Sequence, residues 1–252
     1  MIVRDDLVVY LQDYLSCDDF NDYAPNGLQV EGISTINRIC TAVTASEGII
    51  KKAIALKADA ILTHHGYFWR GEALTMTGIK RRRIGELITH NMNLFAYHLP
   101  LDTHPVIGNN ACLASLFGFV NVQRHSAGNH PNLLCSGQLT EILSGRELSS
   151  LIHKKLNRLP LHVSATDKPI SRVAWCSGGA QDFIVEAHQL GVDAYLSGEI
   201  SERTFYQAEE LGLHYFACGH HATERYGIQA LGQHISQRFA LEHHFIDSDN
   251  PV

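Results

Sequence analysis

Three short stretches of this chain carry residue types that hold metals. They are His64-His65, His98 with Asp102 four positions on, and His220-His221 with Glu224 four positions after His220. Imidazole is the commonest metal ligand and an acid–base group near neutral pH. Mixed imidazole and carboxylate sets suit zinc, iron, manganese, cobalt or nickel, whereas calcium and magnesium favour oxygen shells. His64, His65, Asp102, His220 and Glu224 make five candidate ligands, with His98 in reserve. One catalytic zinc typically takes three protein ligands and a water, so five suit two ions with a bridging carboxylate. Paired ions of that kind leave positions open for water and substrate, which points to catalysis. For His64-His65 taken alone, the plain alternative is a pair of exposed loop histidines.

These residues sit where an α/β fold places ligands. The apolar run Ala60-Ile61-Leu62-Thr63 reads as a strand ending at His64, and ligands gather at the carboxyl ends of parallel strands. Gly66 permits a turn just beyond. Strands are predicted at 38–43, 59–62, 94–97, 133–139, 172–176, 194–197, 214–217 and 244–247. Helices are predicted at 48–56, 80–90, 109–117, 144–156, 181–190, 201–210 and 224–239. Ser144-Gly145-Arg146-Glu147 has the form of a capping box. Alternation of the two periods predicts α/β architecture with mainly parallel pairing.

The chain also matches itself. Shifted by 134 positions, 38–62 falls on 172–196 without a gap, and seven of the 25 pairs are identical. The matches follow the apolar rhythm of a strand–helix–strand unit. Each half then reaches an aromatic strand and a histidine with an acid four residues later. The sequence therefore predicts an internal duplication: a first α/β unit over 1–120 with His64, His65 and Asp102, a connecting segment over 121–169, and a second unit over 170–252 with His220 and Glu224. Within 121–169, Arg124–Pro131 reads as exposed loop. Glu199 stands in the second half where His65 stands in the first, so it could support a ligand from behind, act with His98 as a proton carrier, or be a solvated carboxylate. If residues 220–224 open a helix, His220 and Glu224 share a side and His221 points elsewhere.

Composition limits the remaining choices. The 252 residues are 45% apolar and 18% charged, as expected of a chain that buries a core and not of a disordered segment or a rod. Apolar stretches are strand-sized, too short for a membrane helix. The N-terminus turns acidic at Asp5-Asp6, unlike a secretory signal, so a cytoplasmic location is expected. The net charge of −6 disfavours non-specific nucleic-acid binding. The run Lys80-Arg81-Arg82-Arg83 could hold a phosphate or form a solvated helix face. Six cysteines with no C-x-x-C spacing suit free, buried thiols. Phosphate-loop and G-x-S-x-G patterns are absent. Ser177-Gly178-Gly179 could bind an anion at a helix start. Asn26-Gly27 reads as a simple turn.

Tyr23-Ala24-Pro25-Asn26-Gly27-Leu28-Gln29-Val30-Glu31-Gly32, His64-His65-Gly66-Tyr67-Phe68-Trp69, His98-Leu99-Pro100-Leu101-Asp102 and Gly219-His220-His221-Ala222-Thr223-Glu224 together resemble the GTP cyclohydrolase I type 2 homologue family, also called the Nif-three-like family. The likeness runs over essentially the whole chain, to Phe245-Ile246-Asp247, in a compact bacterial form. It implies a dinuclear centre of divalent transition metals on His64, His65, Asp102, His220 and Glu224, with Glu224 bridging. It also implies a ring-shaped homohexamer. The expected function is a metal-dependent hydrolase of GTP or another nucleotide or heterocycle, with His98 or Glu199 moving the proton. The alternative is a non-catalytic metal-binding scaffold or regulatory module contacting protein or nucleic acid.

Overall fold

The computed structural model describes residues Met1–Val252. The chain divides into two compact units, Met1–Gly108 with Gly227–Asp249, and Asn109–Tyr226 with Asn250–Val252. The first contains β1 (Ile2–Val3), α1 (Arg4–Tyr14), β2 (Gly27–Val30), β3 (Thr35–Ile36), β4 (Arg38–Thr44), α2 (Glu47–Ala55), β5 (Ala60–His65), α3 (Gly78–Thr89), β6 (Asn93–Ala96) and α4 (Leu99–Thr103). The second contains α5 (Asn109–Phe117), β7 (Val120–Ala127), β8 (His130–Leu143), α6 (Gly145–Leu156), β9 (Leu161–Val163), β10 (Ile170–Trp175), α7 (Ile184–Gln189), β11 (Ala194–Ser197), α8 (Glu202–Leu211) and β12 (His214–Ala217). Helix α9 (His220–Phe239) starts in the second unit and ends in the first, where β13 (Glu242–Phe245) follows.

Each unit is an α/β layer structure, as predicted. The first sheet has the order β13-β4-β5-β6-β2, parallel except for β2. Its middle strands are buried on both faces, which is why they read as continuous apolar runs. Ile39, Leu62 and Phe95 face Leu7 and Leu11 of α1 and Ile228, Leu231 and Ile235 of α9. Cys40, Ile61 and Leu94 face Ile49 and Ile50 of α2 and Ile84 and Leu87 of α3. The second sheet has the order β7-β8-β10-β11-β12-β9, with β10, β11 and β12 parallel. Val173, Trp175, Leu196 and Phe216 pack with Leu148, Ile152 and Leu156 of α6.

The internal match is visible in the backbone. Ile39 pairs with Ala60, and Val173, 134 residues on, pairs with Ala194, also 134 on. Asp59 accepts hydrogen bonds from the amides of Asn37 and Arg38. Asp193 accepts the equivalent pair from Ser171 and Arg172. Arg38 reaches the carbonyl of Leu56, and Arg172 that of Leu190. The identical Arg, Leu and Asp positions are thus one clamp used twice. In the third strand the offset is 121, since Leu62 pairs with Phe95 and Leu196 with Phe216. Gly219, at φ +100°, is the extra residue that carries the second copy on to His220.

The structure differs from expectation in several places. Residues 121–169 supply β7, β8, α6 and β9 to the second unit instead of connecting two units. The last strand, shifted to Glu242–Phe245, pairs with β4, so residues 227–249 return to the first unit. Arg124–Pro131 is a hairpin: Ala127 pairs with His130 across a two-residue turn with Gly128 at φ +54°. Its strand β7 is exposed on both faces, so no apolar alternation betrays it. Helix α1 has no counterpart among the predicted elements. The capping box at Ser144 and Glu147 is present, and all six cysteines are free, five of them buried. No helix is long and apolar enough to cross a membrane.

Tyr97 follows β6 and is fully buried, and no protein group lies within hydrogen-bond distance of its hydroxyl. Burying an unmet hydroxyl costs about 1–3 kcal/mol. Tyr97→Phe is therefore expected to raise unfolding stability by about 1 kcal/mol in urea denaturation. A loss of more than about 1 kcal/mol would contradict this account.

Candidate metal centre

In the first unit, β5 delivers His64 and His65 at its carboxyl end. The strand runs on to His65, beyond the predicted end at Leu62. Gly66 stops it, because a Cβ there would meet the Gln29 side chain and Ala96 Cβ. The Gln29 amide instead pairs with the backbone of Tyr67, accepting from its N–H at 2.7 Å and donating to its carbonyl at 3.1 Å. His64 is fully buried and its Nδ1 lies 3.0 Å from the carbonyl of Tyr97. A carbonyl only accepts, so Nδ1 carries the hydrogen and Nε2 keeps its lone pair. Nε2 lies 3.6 Å from Asp102 Oδ1, too far for a hydrogen bond. Two ligands of one ion adopt such a spacing when each bond is about 2.0–2.2 Å. His65 Nδ1 lies 3.1 Å from Thr44 Oγ1, and its ring centre is 4.6 Å from that of His64.

His98 precedes α4, and one carboxylate fixes it. Its Nδ1 donates to Asp22 at 2.7 Å. Asp22 also accepts from the amides of Tyr23 and Leu99 and from the side chain of Asn26. Asn26 in turn accepts from the His98 amide at 2.7 Å. Burial pushes the Asp22 carboxyl up, but the His98 hydrogen bond and charge, with Asn26 and Leu99, outweigh it and hold the pKa at about 2. His64, His65 and His98 bring ligand nitrogens within 4.8 Å of one another. Asp22 and Thr44 carried no motif in the sequence. Asn26 had the signal of a turn dipeptide, which the structure puts to use in holding His98.

In the second unit, α9 begins at His220, four residues earlier than predicted. The i,i+4 spacing places His220 Nε2 3.2 Å from the buried carboxylate of Glu224. His221 is buried, with its amide bonded to the carbonyl of Val252. Glu199, expected as a support for a ligand, a proton carrier or a solvated carboxylate, accepts from His220 Nδ1 at 2.6 Å. Burial disfavours the charged imidazole, but Glu224 and Glu199 together override it and raise its pKa to about 9. Gly178 sits at φ +66°, and a Cβ there would collide with Glu224 Oε1. Its N–H donates to Thr223. The Ser177-Gly178-Gly179 turn thus makes room for a carboxylate instead of cradling an anion.

Both donor sets fit a divalent transition metal. His64, His98 and His220 each commit Nδ1–H to a carbonyl or carboxylate, and His65 Nδ1 sits beside a hydroxyl. Metal-binding histidines are held in this way so that Nε2 points at the ion. The basic run on α3 is partly spent in ion pairs, Lys80 with Glu72 and Arg82 with Glu47.

Two pH responses follow. The raised His220 pKa adds stability that is present below pH ~6.5 and lost as pH rises through about 9. In the metal-free protein, histidine NMR should show this ring titrating near 9, with Glu199→Gln moving the midpoint down. An unchanged midpoint in the variant would contradict the assignment. The lowered Asp22 pKa adds stability that is present above pH ~3.8 and lost as pH falls through about 2. Asp22→Asn should cost about 1.5–3 kcal/mol at pH 7, the worth of hydrogen bonds to a charged group. Urea midpoints of the two proteins should converge as pH falls from 3.8 toward 2, and a gap independent of pH would refute this.

The family model for Duf34/NIF3 (NGG1p interacting factor 3) matches residues 2–251. A Vibrio cholerae protein named GTP cyclohydrolase 1 type 2 homolog is 50% identical over 248 residues, covering 98% of each chain. The solved structure of protein ybgI, described as of unknown function, is 44% identical, covers 100% of both chains and superposes with a TM-score of 0.95. That of TTHA1606 from Thermus thermophilus is 31% identical, again covers 100% of both chains, and has a TM-score of 0.88. This α/β chain, with its anchored imidazoles and carboxylates, belongs to the Duf34/NIF3 family.

Proposed function

We propose that this protein is a metal-dependent hydrolase acting on a nucleotide or similar heterocycle, with GTP the named candidate. His64, His65 and Asp102 of the first unit and His220 and Glu224 of the second would be the ligands of two divalent transition-metal ions. One observation carries the proposal. Each unit sets a buried carboxylate beside the Nε2 of an imidazole whose Nδ1 is already anchored, His64 with Asp102 and His220 with Glu224. Bound there, the ions supply Lewis-acid charge and a water acidified toward neutral pH. The printed name of the bacterial relatives supports a GTP-like substrate.

The protein's own groups have distinct tasks in this proposal. His98, held by Asp22, offers Nε2 as the site that takes up and returns a proton. Glu199, which accepts from His220 Nδ1, would orient that ring and is the second candidate to carry the proton. A metal held by His220 would compete with the proton that Glu224 and Glu199 favour, so its binding would tighten as pH rises. The family resemblance further supports assembly as a ring-shaped homohexamer.

The test is steady-state turnover of zinc-, iron-, manganese-, cobalt- or nickel-loaded protein with GTP and a nucleotide panel, beside Asp102→Ala. The variant should retain less metal by elemental analysis and lose turnover by at least about a hundredfold. No turnover by fully loaded wild type, or equal turnover by both proteins, would sink the hydrolase. The first outcome, with full metal content, would leave a non-catalytic metal-binding scaffold.

A further inference from the structure

We propose that Trp69 and Tyr23 form an aromatic platform at the rim of the first unit's imidazole cluster, which stacks on the flat ring of a heteroaromatic substrate. The proposal rests on the hydrolase reading above and names the part of the substrate that this rim holds.

The chain leaves β5 at Gly66 and enters a backbone arrangement that L-residues avoid. Phe68 has φ +66°, unusual for a bulky side chain. Such strain persists only where the surroundings enforce it, and it gathers at functional sites. Here Glu72 enforces it, with one carboxylate oxygen accepting from the amides of Phe68 at 3.0 Å and Trp69 at 3.2 Å. Lys80 Nζ lies 3.2 Å from the same oxygen. The bend turns Trp69 back over the imidazoles. Its ring centre is 5.1 Å from His98, with planes at 86°, and 5.9 Å from His65.

A second clamp ties this bend to the segment that orients His98. The Arg70 amide donates to the carbonyl of Tyr23 at 2.7 Å. The Arg70 guanidinium donates to Asn21 Oδ1 and to the carbonyl of Asp22. Tyr23 and Trp69 therefore stand on neighbouring backbones, and the Tyr23 ring meets His98 edge-on at 6.3 Å. Tyr23 is 49% exposed and Trp69 is half-buried.

The other tryptophan shows what a structural role looks like. Trp175 is fully buried, and its indole N–H donates to the carbonyl of Asn110. Trp69 fills no core, and its ring neighbours are the imidazoles themselves. An aromatic side chain kept at a solvent boundary, one ring's width from candidate metal ligands, gains most by stacking on a π-face. A heteroaromatic ring held there would bring its edge to the imidazole cluster.

Binding can be measured apart from turnover. Calorimetric titrations of zinc-loaded wild type, Trp69→Ala and Trp69→Phe would use GTP and, as a probe without a base, tripolyphosphate. The zinc content of each variant should equal that of wild type. GTP affinity should fall about tenfold or more in Trp69→Ala and largely recover in Trp69→Phe, with tripolyphosphate affinity equal in all three. Equal GTP affinity in wild type and Trp69→Ala would overturn the platform. So would a matching loss for tripolyphosphate, or wild type that binds GTP no better than tripolyphosphate. The Asp102→Ala turnover comparison decides the hydrolase separately. Turnover lost there with GTP binding indifferent to Trp69 removes the platform alone, and base-dependent binding without any turnover removes the hydrolase alone.

Discussion

The site depends on where each imidazole's Nδ1 hydrogen goes. A neutral histidine offers one lone pair, and which nitrogen carries it is set by the partner of the other. The Tyr97 carbonyl decides this for His64, Asp22 for His98 and Glu199 for His220. The Asp22 carboxylate is itself held by the amides of Tyr23 and Leu99 and by Asn26. The Nε2 atoms are therefore left as the lone-pair nitrogens that could hold an ion. The same logic gives Glu199 its place, with its carboxylate 2.6 Å from His220 Nδ1.

The duplicated frame explains how two units came to present comparable donors. The Asp59 and Asp193 clamps hold the start of the parallel pair in the same register in each copy. Beyond the strand ends the copies diverge. The first continues from Tyr97 to His98 and a short helix, while the second inserts Gly219 and opens α9 at His220. A repeated core and a variable rim are what the physics of the fold favours, since strand packing tolerates little change and the loops beyond the strand ends tolerate much.

The segments around residues 21–29 and 66–72 act as a single support. Gln29 pairs with Tyr67, Asn26 and Asp22 hold His98, and Arg70 returns to Tyr23, Asn21 and Asp22. This web stabilises the positive φ of Phe68 and keeps Trp69 beside the imidazoles. Backbone strain there is offset by charge-assisted hydrogen bonds from Glu72, which are about twice as strong as neutral ones.

The sequence by itself determined the α/β class, the parallel core strands and the duplication, because burial on both faces leaves continuous apolar runs and the clamp residues recur at one offset. It also marked His64, His65, His98, Asp102, His220 and Glu224, since metal-holding residue types gather there at predicted strand ends. It did not reveal α1, whose apolar residues run consecutively over 7–11 instead of at helical spacing, or the hairpin at 124–131, whose first strand β7 is exposed on both faces. Nor could it reveal that 227–249 rejoins the first unit, because sheet edges are filled by contacts far apart in sequence. Only tertiary structure paired Asp22 with His98, 76 residues apart, and turned Trp69 onto the cluster. Hydrogen bonds between distant segments carry no local periodicity, so their partners are decided only when the chain has folded.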